Sequence, residues 1–112
     1  PLYVFKRMSA PQVKATKKEI TGQVVRVDNS GNLITNIPQE AFEALSKGKG
    51  YTVQFGGEKF RRMHTRYDQA DEGECFLIFN TLGLLEIGIY KGNASELLGL
   101  DYDSVVNIVF DE

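Results

Sequence analysis

The sequence predicts a mainly β protein, a small antiparallel β-barrel with one or two short helices. Three observations lead to this expectation. The 112 residues are the usual length of one domain, and 42% of them are hydrophobic. About seven short apolar runs are separated by turn residues such as Gly and Asn. Only two stretches have helical spacing, and each suffices for one or two turns.

The chain divides into a short arm and one folded unit. Residues 1–19 are basic, contain Pro1 and Pro11 and show no clear period, so we expect a linker or an N-terminal arm. The β-barrel is expected over residues 20–112. Its predicted strands, in chain order, are residues 20–28, 33–37, 51–55, 58–65, 74–80, 84–90 and 105–110.

Turn residues join the elements of the first half. Residues 29–32 contain Asn and Gly, which tolerate the positive φ angles of a turn between the first two strands. Pro38 pre-sets the first turn of a short helix, because its missing N–H costs nothing there, and Gly48 ends that helix. The dipeptide Gly56-Gly57 predicts a two-residue hairpin between the third and fourth strands.

The second half carries equally local signals. The turn at residues 81–83 separates two apolar strands. Asn93 is predicted to be the N-cap of a second helix, and Glu96 at the third helical position completes a capping box. Gly99 supplies the C-cap of that helix.

The net charge of −2 hides an uneven distribution. Residues 1–66 carry twelve Lys and Arg against five acids, a net charge of +7, and residues 67–112 carry one Lys against ten acids, a net charge of −9. Strong nucleic-acid-binding domains usually have an isoelectric point above about 9, whereas that of this chain is about 5.4. We interpret the division as complementarity within the domain or across an assembly interface, rather than as a polyanion site.

Cys75 and His64 are the only residues of their types. A single cysteine forms no internal disulfide, and within an apolar run Cys75 is predicted to be a buried small hydrophobe rather than a nucleophile. Without a Cys–His or His–His pair, a zinc site of the usual kind is excluded and no metal is expected. No sequence context directs a serine to His64 for a catalytic triad.

The chain lacks an apolar run near the 18 or so residues of a membrane span. A membrane is therefore not expected as a partner. The isoelectric point argues against a nucleic acid in the same way, and we expect a cytoplasmic protein. The sequence opens on Pro1 without Met or a signal peptide, which predicts a piece excised from a larger protein.

Three segments carry a resemblance to a known family. They are GQVVRVDNSGNLITNI at residues 22–37, FNTLGLLEIGI at residues 79–89 and GNASELLGL at residues 92–100. In order and spacing they resemble the C-terminal domain of the S-adenosylmethionine (SAM) hydroxide adenosyltransferases. That family also contains the SAM-dependent chlorinase and fluorinase.

The resemblance implies an incomplete active site. Family members pair an N-terminal α/β domain with a small β-barrel C-terminal domain and assemble as homotrimers. SAM lies between the C-domain of one subunit and the N-domain of its neighbour, where water or a halide displaces methionine at C5′. The groups thought to activate water belong to the N-domain, so no catalytic residue is expected in this chain. SAM is a substrate, and no cofactor is expected.

The resemblance also implies six substrate-binding residues, which are Asn32, Tyr67, Asn80, Thr81, Ile89 and Tyr90. Asn32 is implied to face the nucleoside, and a carboxamide offers the donor and acceptor that an adenine edge needs. From residue type alone it would be a turn asparagine closing its own backbone. Tyr67 is implied to stack on adenine, with a half-buried core tyrosine as the alternative.

The other four residues come from the second segment and its end. Asn80 and Thr81 match an Asn-Ser pair whose hydroxyl contacts the methionine end of SAM, and a strand-end turn is the alternative. Residues 88–90 match the strand whose backbone groups read the adenine edge. Ser30 and Leu82 depart from the family pattern, as do residues 33–34, which lack a tryptophan; these differences favour the hydroxide-using branch over a halogenase.

Two further functions stay open. The basic residues of segment 59–66 enclose an aromatic ring, which suits a stand-alone nucleoside-, RNA- or oligosaccharide-binding barrel. Cationic strands are more often a solvated edge. In the third interpretation, the barrel serves only trimer assembly.

Overall fold

The computed structural model describes residues 13–111, and of Tyr67 it describes only the backbone. Within this range the chain forms eight strands, two α-helices and one 3-10 turn. In chain order they are β1 Lys14–Ala15, β2 Glu19–Val27, β3 Leu33–Pro38, α1 Gln39–Ser46, β4 Tyr51–Phe55, β5 Glu58–Phe60, the 3-10 turn Tyr67–Gln69, β6 Cys75–Phe79, β7 Leu84–Ile89, α2 Ala94–Leu98 and β8 Val105–Phe110. Of the expected arm, residues 1–12 lie outside the described part, and β1 follows them.

The strands form one antiparallel sheet in the order β5-β4-β8-β2-β3-β7-β6, with β1 paired to β2. The long β2 strand pairs with β8 through residues 19–23 and with β3 through residues 24–27. A register shift between Val24 and Arg26 interrupts the pairing with β3, and such an irregularity bends a strand and increases its twist. The sheet therefore curls into a half-barrel, which confirms the predicted mainly β class with two short helices.

The segment that follows β5 contacts β6, the strand at the other end of this order. His64 N–H donates to Leu77 O (2.6 Å), and Leu77 N–H donates to His64 Nδ1 (3.1 Å). A strand was expected over residues 58–65, but β5 ends at Phe60. Beyond Phe60, an imidazole nitrogen takes the place of a backbone carbonyl, so the chain joins β6 without continuing a regular ladder.

The core lies inside the curl of the sheet. Its fully buried side chains come from every long strand and include Ile20, Val24, Leu33, Ile37, Val53, Leu77, Leu85, Ile87, Val106 and Ile108. Helix α1 closes one side through Phe42, whose ring contacts Tyr51 edge-on with ring centres 5.0 Å apart. This ring also lies 5.3 Å from Phe79.

Asn93 and Gly99 cap α2 as expected. Asn93 Oδ1 accepts the Glu96 N–H (3.0 Å), and Gly99 adopts a left-handed φ of 69° and donates to Ser95 O (3.0 Å). In addition, Ser95 N–H donates to Gly31 O (2.9 Å). This bond ties the start of α2 to the turn between β2 and β3.

Two buried threonines differ in how their hydroxyls are used. Thr35 is completely buried; its Oγ1 donates to Leu85 O (2.9 Å) and accepts the Ile37 N–H (3.1 Å). Thr52 is also buried, but within residues 13–111 its hydroxyl has no such partner. Comparing the two threonines therefore separates the contribution of the hydrogen bonds to stability from that of burial.

We expect Thr35→Val to lower the free energy of unfolding by about 1–3 kcal/mol, because two buried backbone groups lose their partner. Thr52→Val is the matched control and should change that energy by less than about 1 kcal/mol. Urea unfolding followed by circular dichroism measures both. Equal losses in the two variants would contradict the assigned role of the Thr35 hydroxyl.

Candidate functional site

A pocket of about 650 Å³ opens beside β7. Its walls come from the turn after β2, from β6, from β7 and from the turn that follows β7. The lining residues are Asp28, Ser30, Asn32, Phe76, Glu86, Ile89, Tyr90, Lys91 and Gly92. They combine a carboxamide, two carboxylates, two aromatic rings and one ammonium group.

Asp28 holds the turn that delivers Asn32 to the pocket. Asp28 Oδ1 accepts the backbone N–H groups of Ser30 and Asn32, each at 2.9 Å. The main chain closes the same turn through Gly31 N–H to Asp28 O (2.9 Å). Gly31 has a φ of +84°, and a Cβ there would overlap the Asn93 carboxamide. Glycine is therefore required for this turn to pack against the N-cap of α2.

Glu86 lies at the base of the pocket, held between two carboxamides. Asn32 Nδ2 donates to Glu86 Oε2 (3.0 Å), and Asn80 Nδ2 donates to Glu86 Oε1 (3.1 Å). The Glu86 side chain is buried, with 7% of its surface exposed. Hydrogen bonds to both oxygens offset part of the cost of removing this carboxylate from water.

The apolar wall depends on Gly88. A Cβ at this position would overlap Phe76 Cζ and would lie 2.8 Å from Asn32 Oδ1. Gly88 and Phe76 are cross-strand partners in β7 and β6, so the ring lies directly over the glycine. Phe76 also belongs to a small buried cluster with Ala70 and Ile78, against which Tyr90 packs.

The charges around the pocket are acidic at its base and basic at its rim. Among the described lining residues Lys91 is the single cation; its Nζ lies 3.9 Å from Glu72 Oε1 and 5.6 Å from the centre of the Tyr90 ring. Arg66 and Asp68 form the other ion pair found within residues 13–111, at 3.3 Å. Both pairs are solvent-exposed and contribute at most about 1 kcal/mol each. Ion pairing inside the described part thus accounts for little of the charge division.

The structure brings three of the six expected site residues together, because Asn32, Ile89 and Tyr90 all line the pocket. Asn80 reaches it indirectly through Glu86. Thr81 is exposed in the turn between β6 and β7 and is not part of the pocket lining. The Tyr67 backbone lies in the 3-10 turn, and its side chain is outside the described part of the structure.

Sequence reasoning missed Asp28, Phe76 and Glu86. A single acid inside the apolar strand LLEIGI was the available signal for Glu86, because a buried charge requires partners. Nothing local indicated that its partner would be Asn32, which lies 54 residues away in the chain.

Cys75 lies outside this pocket and packs against the core as expected, but it is half-buried rather than fully buried. Burial raises the pKa of the thiol to about 12, and the nearby Glu58 carboxylate adds to the rise. The thiolate that a nucleophile requires is therefore disfavoured. No group of three or more His, Cys, Asp or Glu side chains in the described range is placed to hold a metal ion. Neither α1 nor α2, the helices of that range, is long and apolar enough to cross a membrane.

The chain is thus a curled antiparallel β domain with a carboxamide, a buried carboxylate and aromatic walls at one pocket. Residues 22–107 match the model of the SAM hydroxide adenosyltransferase C-terminal domain. The chain belongs to this family.

The solved structures that are similar to the chain include two from Thermotoga maritima and Thermus thermophilus. An uncharacterized conserved protein from Thermotoga maritima is 29% identical, with a TM-score of 0.71; the match covers 89% of this chain and 38% of that one. A conserved hypothetical protein from Thermus thermophilus is 27% identical, with a TM-score of 0.58 and coverage of 80% and 34%. The matched region thus spans little more than a third of either protein. No curated protein matches the chain.

Proposed function

We propose that this chain is the adenosyl-binding C-terminal domain of an enzyme that cleaves SAM with water or hydroxide. In that reaction the water oxygen bonds to C5′ of the adenosyl group and the C5′–S bond breaks. The electron pair stays on the sulfur of methionine, and the water releases a proton, which leaves adenosine and methionine. The observation that carries the proposal is the family match over residues 22–107, which contains every described wall of the pocket.

The pocket chemistry suits an adenosyl group. The Asn32 carboxamide can pair with a base edge, and the backbone of Ile89 and Tyr90 borders the same space. Phe76 offers an apolar surface beside them. The Asp28 and Glu86 carboxylates favour a ligand that carries a positive sulfonium over one that carries phosphates. In this proposal the Tyr67 ring stacks on adenine and the Thr81 hydroxyl contacts the methionine end.

The chain alone is proposed to be inactive. It corresponds to about a third of its structural relatives, and the pocket rim at Ser30 and Lys91 is exposed. The missing walls and the groups that activate water would come from the N-terminal domain of a neighbouring subunit in a homotrimer. Half a pocket binds weakly, because fewer contacts offset the entropy lost on association.

We expect the isolated 112-residue chain to bind SAM or adenosine at best in the millimolar range and to release no adenosine. Calorimetry measures the affinity, and chromatography of the products measures cleavage. The full-length protein should form adenosine and methionine in equal amounts. Micromolar binding by the isolated chain would contradict the proposal that this chain holds only part of the pocket. A full-length protein that leaves SAM intact would contradict the proposed reaction.

The exposed cations of segment 59–66 favour RNA binding as a second candidate. Lys59, Arg61 and Arg62 are indeed exposed. One face of the aromatic ring among them is already covered, because Phe60 stacks on Phe55 with ring centres 5.1 Å apart. A binding constant for RNA that falls steeply with salt would support this candidate, and salt-independent or absent binding would leave the adenosyl function.

A further inference from the structure

Asn80 fixes which groups donate and which accept in the hydrogen bonds around Glu86. Asn80 Oδ1 accepts the backbone N–H groups of Leu82 (3.0 Å) and Leu84 (3.1 Å). A carbonyl oxygen accepts from both and an amino group accepts from neither, so the Asn80 carboxamide cannot be reversed. Its amino group therefore faces Glu86, and Asn80 Nδ2 donates to Glu86 Oε1 at 3.1 Å.

Glu86 also fixes the orientation of the Asn32 carboxamide. The second Glu86 oxygen accepts from Asn32 Nδ2 at 3.0 Å. Because a carboxylate only accepts hydrogen bonds, Asn32 must also turn its amino group toward Glu86. Asn32 Oδ1 then lies on the far side of the carboxamide, next to Gly88. Within residues 13–111 no hydrogen bond to this oxygen is found, and it is not among the buried atoms that lack a partner, so it is accessible from the pocket that Asn32 lines.

We infer that Glu86 is a positioning residue that makes the pocket select a purine with an amino group over one with a carbonyl at the same place. The inference rests on the proposed function, in which Asn32 faces the base of an adenosyl ligand. An asparagine oxygen accepts from the N6 amino group of adenine. In a 6-oxo purine such as hypoxanthine, two oxygens would face each other. The selectivity resides in the fixed orientation of Asn32, and Glu86 fixes it.

Glu86→Gln should reverse this orientation. Glutamine offers one oxygen and one amino group where Glu86 offers two oxygens. Asn80 is held by two backbone N–H groups and keeps donating, so it takes the glutamine oxygen. The glutamine amino group then faces Asn32, which must present Oδ1 to residue 86 and its own amino group to the pocket.

The test compares adenosine with inosine, whose base carries a carbonyl at position 6. Calorimetry on the full-length protein gives both dissociation constants. We expect the wild-type protein to bind adenosine about tenfold or more tightly than inosine. We call the dissociation constant of inosine divided by that of adenosine the ratio. In Glu86→Gln this ratio should fall by at least about tenfold, with inosine binding as tightly as adenosine or more tightly.

Two further variants isolate the cause. Glu43→Gln is the matched control, because Glu43 accepts from the Gln39 carboxamide (3.0 Å) on the exposed face of α1, outside the pocket. It should leave the ratio unchanged. In the double variant Glu86→Gln with Asn80→Ala, nothing directs the glutamine, and the ratio should lie between those of the wild type and the single variant.

Hydrogen exchange tests the orientation of the Asn32 carboxamide without a ligand. In the 112-residue chain, the Asn32 side-chain amide protons should exchange slowly by NMR in the wild type and faster in Glu86→Gln, where they face the open pocket. Unchanged exchange, or a Glu86→Gln variant that loses both affinities equally and keeps the ratio, would overturn the inference while the proposed function stands. A full-length protein that binds neither adenosine nor SAM would overturn both.

Discussion

Gly88→Ala is expected to lower the free energy of unfolding by about 1–3 kcal/mol and to abolish adenosine binding by the full-length protein. The added Cβ would overlap Phe76 Cζ and lie 2.7 Å from Phe76 Cε2. Phe76 is buried and has little room to move, with 3% of its surface exposed. The ring or the β7 strand must shift, and Asn32 Oδ1 lies only 2.8 Å from the same position. One methyl group therefore disturbs both the apolar wall and the carboxamide.

Gly50→Ala is the control for this substitution. A Cβ at Gly50 would also meet a side chain, but that group is the end of the exposed Asp111 carboxylate, which can swing away. Urea unfolding should therefore place Gly50→Ala near the wild type and Gly88→Ala well below it. Equal midpoints for the two variants would contradict the tight packing of Phe76 on β7.

Asn32→Ala in the full-length protein is expected to weaken adenosine binding and raise KM for SAM by about tenfold or more. The variant loses the oxygen that is proposed to face the ligand, and it leaves Glu86 Oε2 without its Asn32 donor. That loss of a buried hydrogen bond should cost about 1–2 kcal/mol of stability, which leaves the fold intact. Steady-state kinetics and thermal unfolding on the same preparation separate the two effects.

Asn107→Ala provides a matched control for Asn32. Its Nδ2 donates to Glu19 Oε1 and to Thr21 Oγ1, each at 2.8 Å, so it too is a carboxamide that bonds a glutamate across strands. It is not part of the pocket lining, and it should change stability without changing KM. Unchanged KM and kcat in Asn32→Ala would remove Asn32 from the site.

Local signals explain why so much of the fold could be predicted from the sequence. Asn93 and Gly99 cap α2 because a carboxamide and a residue free of Cβ serve those positions in any context. The hairpin at Gly56-Gly57 joins β4 and β5 because both residues adopt positive φ angles, 55° and 82°. Helix α1 begins at Gln39, one residue later than expected, because Pro38 is extended and ends β3 as the N-cap of the helix.

The elements that sequence reasoning misjudged depend on distant partners. Segment 58–65 looks like one strand, yet it leaves the sheet after Phe60, and His64 meets Leu77 through its ring nitrogen. An imidazole that replaces a carbonyl in a ladder has no sequence pattern. The site also depends on distant partners. The family resemblance implies Asn32, whereas Glu86 contacts Asn32 only because β3 and β7 pair side by side.

We propose that the pocket beside β7 is this chain's half of an adenosyl site. The most direct test is an NMR titration of the 112-residue chain with adenosine, in which backbone amide shifts are followed up to millimolar concentrations. We predict shifts that grow with adenosine concentration, as weak binding requires, at residues 31–33 and 88–91 and none at residues 59–66. Shifts confined to residues 59–66, or none at the pocket, would contradict the claim.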